Sequence, residues 1–240
     1  MKKLFLLLFA LPSLAMAQTK NVITVERVYP KQDKVQEYEK ALASHVQKYH
    51  KGDWAWRVYT IETGPEAGGY HIVEGPMSWE GLDNRGNLGE AHQSDYNKGV
   101  SPFTNADKGS SMYVTYRPDL STVQLTDYSN KIAITHIFPK PGYTDDMEDA
   151  IKKLKKAWEA GGQSVAVYEA SSSGPQQYTF VYRYKQGLKE RETGFRKPMK
   201  DRYNMANGDG SWNAYTQSVR NMIDHSWSEV LFFHPELSSK

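Results

Sequence analysis

Residues 25–31 read VERVYPK, and residues 134–140 read ITHIFPK. Each stretch is a short strand-like run that ends in an aromatic residue, a proline and a lysine. Such a run predicts a β-strand, and its final proline and lysine predict the turn that follows. Because the two stretches occupy corresponding places in the two halves of the chain, they indicate an internal duplication, and this duplication decides the fold.

The likeness between the halves continues beyond these strands. Apolar residues recur every three or four positions in 32–51 and in 142–161, which predicts an amphipathic helix in each half, ending at Gly52 or Gly161. A predicted β-hairpin follows in each half, at 54–75 and at 163–183. Each half then has a polar stretch, with a clear helix at 211–225 and a weak one around 89–108, and closes with a strand before a Pro-acid-Leu-Ser tail.

Each half therefore reads β-α-β-β-α-β, the ferredoxin-like arrangement, with the first repeat at 18–121 and the second at 122–240. A single repeat would expose one apolar sheet face to water, so we expect the two antiparallel sheets to pack against each other. The predicted fold class is α+β, with two tandem ferredoxin-like repeats forming one barrel.

This duplicated pattern resembles the dimeric α+β barrel superfamily, which includes antibiotic-biosynthesis-monooxygenase-like and NIPSNAP-like domains. The tandem fusion of the halves is similar to that of the chlorite-dismutase group, and the resemblance covers nearly all of residues 22–238. It implies a small-molecule pocket between sheet and helices. It also implies a cofactor-independent monooxygenase, isomerase or lyase acting on a planar or aromatic substrate.

The first seventeen residues have the pattern of a secretory signal peptide. Two lysines precede an apolar run at 4–14, and Ala15-Met16-Ala17 supplies the small residues of a cleavage site before Gln18. We therefore expect a protein that is exported to the periplasm or secreted, with no membrane anchor.

Composition excludes several classes of function. The chain has 30 Lys and Arg against 28 Asp and Glu, and loss of Lys2 and Lys3 with the signal peptide equalises the two counts. A balanced charge argues against a nucleic-acid partner. The absence of cysteine excludes thiol nucleophiles, iron–sulfur clusters and cysteine-ligated zinc. We expect a small-molecule ligand as the partner. The sequence does not decide whether the chain forms a homo-oligomer.

No catalytic motif is present, so candidate residues come from mismatches between the repeats. His45 lies on the apolar face of the first predicted helix, where the second repeat has Leu154. One interpretation is a general base or a ligand-orienting imidazole, since histidine titrates near neutral pH. The other is a histidine at the boundary of the core that makes only local hydrogen bonds.

Arg27 and His136 occupy equivalent places on otherwise apolar strand faces, where an unpaired polar group costs free energy. As ligand-binding residues they would supply an anion-binding arginine and a histidine within the barrel. As structural residues they would pair with a carboxylate such as Glu26, Glu62 or Glu169.

His71 matches Thr179, and Arg57 matches Ala166, so the first repeat is the more polar one at these strand positions. We predict His45, His71 and Arg57 as the catalytic group, with proton transfer by a histidine and anion stabilisation by Arg57 or Arg27. The alternative is that these side chains lie on a solvated strand face.

Trp56 and Tyr59 are predicted to contact a planar ligand, with core packing as the alternative. No metal site is expected, because no two histidines stand three or four residues apart on a helix and His45 precedes His50 by five. No cofactor is expected either.

Haem is the alternative cofactor, with His45, His136 or His225 as axial ligand, although the Asn-Trp-His pattern of haem-degrading relatives is not recognisable. The sequence thus predicts an exported small-molecule-binding protein. More specifically, it predicts a cofactor-independent monooxygenase or isomerase that acts on a planar or aromatic substrate. The alternative is a haem-binding or non-catalytic module of the cell envelope.

Overall fold

The computed structural model describes residues 19–171 and 174–240. The predicted signal peptide at residues 1–17 lies outside the described residues. Within the described ranges, no helix is both long enough and apolar enough to cross a bilayer.

The first repeat has the predicted order of elements, and two short helices stand in place of its second helix. Its elements are β1 (Val22–Pro30), α1 (Val35–Tyr49), β2 (Trp56–Thr63), β3 (Tyr70–Met77), α2 (Trp79–Asn84), α3 (Gly89–Asp95) and β4 (Thr104–Tyr116).

The second repeat follows the same order with longer helices. Its elements are β5 (Lys131–Pro139), α4 (Thr144–Ala160), β6 (Val165–Ala170), β7 (Tyr178–Arg183), α5 (Met199–Asn207), α6 (Ser211–Met222) and β8 (Ile223–Phe233). The duplicated β-α-β-β-α-β pattern predicted from the sequence is thereby confirmed.

The eight strands form one closed barrel in the order β1-β3-β2-β8-β5-β7-β6-β4, with β4 returning to β1. The repeats join at two antiparallel seams: β2 pairs with β8, and β4 pairs with β6. Every strand therefore has two hydrogen-bonded neighbours. Closure of this kind leaves none of these eight strands with a free edge on which a second copy of the chain could add a strand.

The barrel wall has an inner face and an outer face, because successive side chains of a strand point to opposite sides. The helices cover the outer face. In the first repeat, Tyr38 and Leu42 of α1 pack with Val58 and Ile72. In the second, α4 packs against β6 and β7 through a core that includes the fully buried Trp158.

The last helix and the fourth strand differ from their predicted bounds. The helix predicted at 211–225 ends at Met222, and His225 lies on β8 with its ring stacked 4.2 Å from that of Phe138. The region predicted as a weak helix, 89–108, is helical as far as Phe103, through α3, a π-helical turn and a 3₁₀ turn, and β4 begins at Thr104. In both places, pairing with β1 or β5 overrides local helix propensity.

Replacing Trp158 with alanine should lower the free energy of unfolding by about 3–5 kcal/mol, because a large side chain is lost from a fully packed core. Urea denaturation would measure the change. The matched control is Trp79→Ala, since Trp79 is 46% exposed and contacts Tyr113 at the surface. Equal losses in the two variants would contradict the placement of α4 in the core.

Candidate functional site

A cavity of about 250 Å³ lies inside the barrel. Most of its wall is apolar and comes from both repeats, which contribute Ile23, Val25, Val73, Met112, Ile134 and Val181. Pockets lined mainly by apolar side chains with a few inward-facing polar groups are the usual form of small-molecule sites.

A row of polar and aromatic side chains crosses the first repeat at one level of the barrel. In the strand register, Arg27 of β1 lies opposite His71 of β3, and His71 lies opposite Tyr59 of β2. Tyr59 in turn lies opposite Phe233 of β8. Residues opposite each other in adjacent strands present their side chains on the same face. The hairpin and the seam between repeats thus bring Arg27, His71 and Tyr59 to the cavity wall.

Glu229 of β8 holds a buried ionic cluster at one end of this row. Its Oε1 accepts hydrogen bonds from Arg27 Nη2 at 2.6 Å and from His136 Nε2 at 2.8 Å, and its Oε2 accepts one from Arg27 Nη1 at 3.1 Å. Burial of Glu229 raises the pKa of its carboxyl group, but the hydrogen bonds from His136 and Arg27 outweigh burial. The net pKa is below 4.5, so Glu229 carries a negative charge at neutral pH.

His136 is fixed in orientation by contacts on both ring nitrogens and on its face. Its Nδ1 lies 2.6 Å from Gln177 Nε2, and its Nε2 bonds to Glu229. The ring of Trp227 stacks on it with centroids 4.6 Å apart. Because Gln177 donates to Nδ1 and Glu229 only accepts, the proton is assigned to Nε2.

His71 is buried in the wall, and its Nδ1 has no hydrogen-bond partner in the described parts of the chain. Burial lowers the pKa of His71 well below 6.5, and the positive charge of the neighbouring Arg27 lowers it further. The imidazole is therefore neutral at neutral pH and has a lone pair with which to accept a proton or a hydrogen bond.

Arg57 lies at the other end of the cavity among aromatic rings. Its Nε donates to Tyr59 Oη at 3.0 Å, and its guanidinium carbon lies 4.0 Å from the Phe233 ring centroid and 4.4 Å from that of Tyr128. Within 19–171 and 174–240, no carboxylate forms an ion pair with Arg57, whereas Arg27 pairs with both Glu229 and Glu66. Arg57 is thus the better placed of the two to bind a ligand anion.

The structure brings five of the seven predicted site residues to one cavity, and they are Arg27, Arg57, Tyr59, His71 and His136. His45 and Trp56 do not reach it, which corrects the expected grouping of His45 with His71 and Arg57. The reason is the position of α1, which packs on the outer face of the barrel wall. Trp56 also faces outward, since it alternates with the inward-facing Arg57 on β2.

The acid that pairs with Arg27 and His136 is Glu229, rather than the expected Glu26, Glu62 or Glu169. A signal for Glu229 was present in the sequence. When the closing strands of the repeats are aligned on their shared tails, Glu229 falls opposite Met112, a mismatch of the same kind that singled out His45.

His45 belongs to a different group on the outer face. Its Nε2 lies 3.3 Å from that of His50, which in turn lies 3.3 Å from the Nε2 of His92. The five-residue gap between His45 and His50 does not exclude this meeting, because α1 ends at Tyr49 and His50 follows it in an extended conformation.

A haem is not accommodated by the three histidines nominated for it. His136 has both ring nitrogens engaged, His45 lies in the histidine group outside the barrel, and His225 is exposed beside Asp224.

Comparison with known proteins yields solved structures of the same fold. A protein from Lactobacillus acidophilus proposed to be a monooxygenase has a TM-score of 0.52 at 10% identity, covering 88% of this chain and 93% of that one. An anthrone oxidase-like protein has a TM-score of 0.54 at 13% identity, with coverage of 90% and 92%.

Chlorite dismutase from Candidatus Nitrospira defluvii, in complex with imidazole, also has a TM-score of 0.54, at 7% identity and with coverage of 90% and 92%. No family model and no curated protein matches the sequence. At these identities the likeness shows the fold alone. The chain has the α+β barrel fold of the dimeric α+β barrel proteins.

Replacing Glu229 with glutamine should destabilise the protein by about 3–5 kcal/mol at pH 7, because it leaves Arg27 and His136 buried without their shared anion. Urea denaturation of this variant would be compared with that of Glu236→Gln, whose side chain is exposed.

The difference in unfolding free energy between Glu229→Gln and the wild type should depend on pH. The pKa of Glu229 is lowered on folding, so its contribution to stability is complete above pH 4.5 and is lost as pH falls through the folded-state value. The gap in unfolding free energy should therefore narrow below pH 4.5. A gap that stayed constant down to pH 3 would show that the charge of Glu229 is not responsible.

Proposed function

We propose that the barrel cavity binds a small planar molecule with one acidic group, and that His71 takes a proton from it. The observation that carries the proposal is the pairing, in one largely apolar cavity, of the cation Arg57 and the neutral buried His71. An apolar wall suits a planar hydrocarbon body, and Arg57 supplies a counter-charge for the anion.

The other polar residues have supporting roles in this proposal. Tyr59 holds Arg57 by its hydroxyl group, which itself donates to the Ser129 carbonyl at 3.2 Å. Glu229 fixes Arg27 and His136 at the opposite end. The Trp227 Nε1 there is buried without a partner among the described residues, and a ligand oxygen would satisfy it.

The finer form of the proposal is a cofactor-independent oxygenation, supported by the proteins named as monooxygenase and anthrone oxidase-like that share the fold. His71 would remove a proton from an activated methylene group, and Arg57 would stabilise the resulting enolate. The enolate would react with dioxygen as co-substrate. Loss of water then gives the ketone, so that one methylene substrate and one O₂ yield one ketone and one H₂O.

We further propose that the chain is related to antibiotic-biosynthesis-monooxygenase-like or NIPSNAP-like proteins and is exported. Support for export comes from the basic, apolar and small residues of positions 1–17. Amino-terminal sequencing of the protein from the periplasm or medium should begin at Gln18, and an intact Met1 would contradict export by this route.

Replacing Arg57 with methionine should weaken binding of 2-naphthoate about ten- to a hundredfold, because a charge-assisted contact is lost while most of the side-chain volume stays. Fluorescence titration would measure the affinity. Arg220→Met, at an exposed position of α6, is the matched control. Binding of neutral 2-naphthamide should be unaffected, and equal weakening of both ligands would show that only packing was lost.

With anthrone as the probe, the wild-type protein should consume dioxygen and form anthraquinone, and His71→Gln should lower the rate by about a hundredfold or more. An oxygen electrode and the anthraquinone absorption would follow the reaction, with His225→Gln as control. Binding without any turnover would contradict the proton-transfer step and favour a non-catalytic binding module. A Soret band in the purified protein would contradict the cofactor-independent form.

A further inference from the structure

The structure assigns a second site to this protein: His45, His50 and His92 form a three-histidine site for a divalent transition-metal ion, for which Zn²⁺ has the best-matched geometry. This site lies on the outer face of the barrel wall, between α1 and α3, and shares no residue with the barrel cavity. It goes beyond the proposed function and does not depend on it.

The first argument is the convergence of the three rings. One ring nitrogen of each histidine lies within 4.8 Å of the others, and the two Nε2–Nε2 distances to His50 are both 3.3 Å. Nitrogen ligands about 2.0–2.1 Å from a tetrahedral zinc ion lie about 3.3–3.4 Å apart. The two distances to His50 therefore match those between ligands of one ion, and the third separation, between His45 and His92, lies within 4.8 Å.

The second argument comes from the partners of the other ring nitrogens. His45 Nδ1 lies 2.8 Å from Asp95 Oδ2, and His50 Nδ1 lies 3.0 Å from the Trp54 carbonyl oxygen. An ionised carboxylate and a carbonyl only accept hydrogen bonds, so both Nδ1 atoms carry the proton. The Nε2 atoms of His45 and His50 then face each other with lone pairs and no hydrogen between them. A cation bound between them would accept both lone pairs and remove their repulsion.

These partners are also those that metal-bound histidines usually have. A ligating histidine commonly donates its second N–H to a carboxylate or a backbone carbonyl, which orients the ring. Asp95 is itself held by Lys48 Nζ at 2.9 Å. Aromatic rings also pack closely around the group, with the His50 and Trp56 ring centroids 3.6 Å apart.

The burial of the three ligands suggests a site open on one side. His45 and His50 are buried, whereas His92 on α3 is partly exposed. Three protein nitrogens with one accessible direction leave a fourth position for water or another ligand, as in three-histidine zinc sites. Ion binding would also tie the short helix α3 to α1.

The test uses tag-free protein treated with a chelator and then dialysed, because a polyhistidine tag would itself bind metal. Calorimetric titration with ZnCl₂ should give one Zn²⁺ per chain. At a hundredfold excess of Zn²⁺ over Kd, the Tm should rise by about 5–10 °C. Absence of Zn²⁺ binding, or a stoichiometry other than one ion per chain, would overturn the assignment.

Variants identify the ligands. His92→Ala should abolish high-affinity binding, and its partial exposure makes it the least disruptive of the three to folding. Asp95→Asn should weaken binding about 10- to 100-fold, because it keeps the shape but removes the charge that supports His45. His225→Ala, an exposed histidine on β8, should bind as the wild type does.

A spectroscopic readout separates ligation from a general effect on stability. Co²⁺ added to the wild type should give the strong visible absorption of a tetrahedral nitrogen site, and this absorption should vanish in His92→Ala while circular dichroism shows the fold retained. Unchanged Co²⁺ spectra and Zn²⁺ affinity in His92→Ala would contradict the three-histidine site.

Discussion

Closure of the barrel is the constraint on which the rest of the structure depends. Two ferredoxin-like sheets would each leave two edges of unpaired backbone groups, and the seams β2–β8 and β4–β6 join all of these edges within one chain. The same closure creates an interior that is separate from the outer face. Both candidate sites follow from this separation, one inside the wall and the other between the wall and its helices.

The interior tolerates charge because the seams bring complementary groups together. Arg27 on β1 and His136 on β5 come from different repeats, and Glu229 on β8 accepts hydrogen bonds from both. An isolated ion there would pay a large desolvation cost, whereas the cluster satisfies each charge with an opposite one. The cluster is thus a contact between repeats as well as one end of the cavity.

Strand β2 shows how one segment serves two sites. Arg57 and Tyr59 point inward and line the cavity, while Trp56 points outward and packs against the ring of His50. The two sites are therefore separated by the thickness of one sheet. Their chemistry differs accordingly, since the cavity pairs the Arg57 cation with the neutral His71, and the outer group brings three histidine ring nitrogens together.

The sequence by itself determined the duplication, the order of the main elements and the placing of Arg27 and His136 on an apolar strand face, because the period-two and helical patterns are local properties of the chain. It also contained the mismatch between Glu229 and Met112. Only the tertiary structure decided which acid pairs with Arg27, that β8 begins at Ile223, and that His45 meets His50 and His92 rather than His71. These outcomes depend on strand register and on which face of the wall a helix covers, and such long-range pairings are not encoded in residue spacing along the chain.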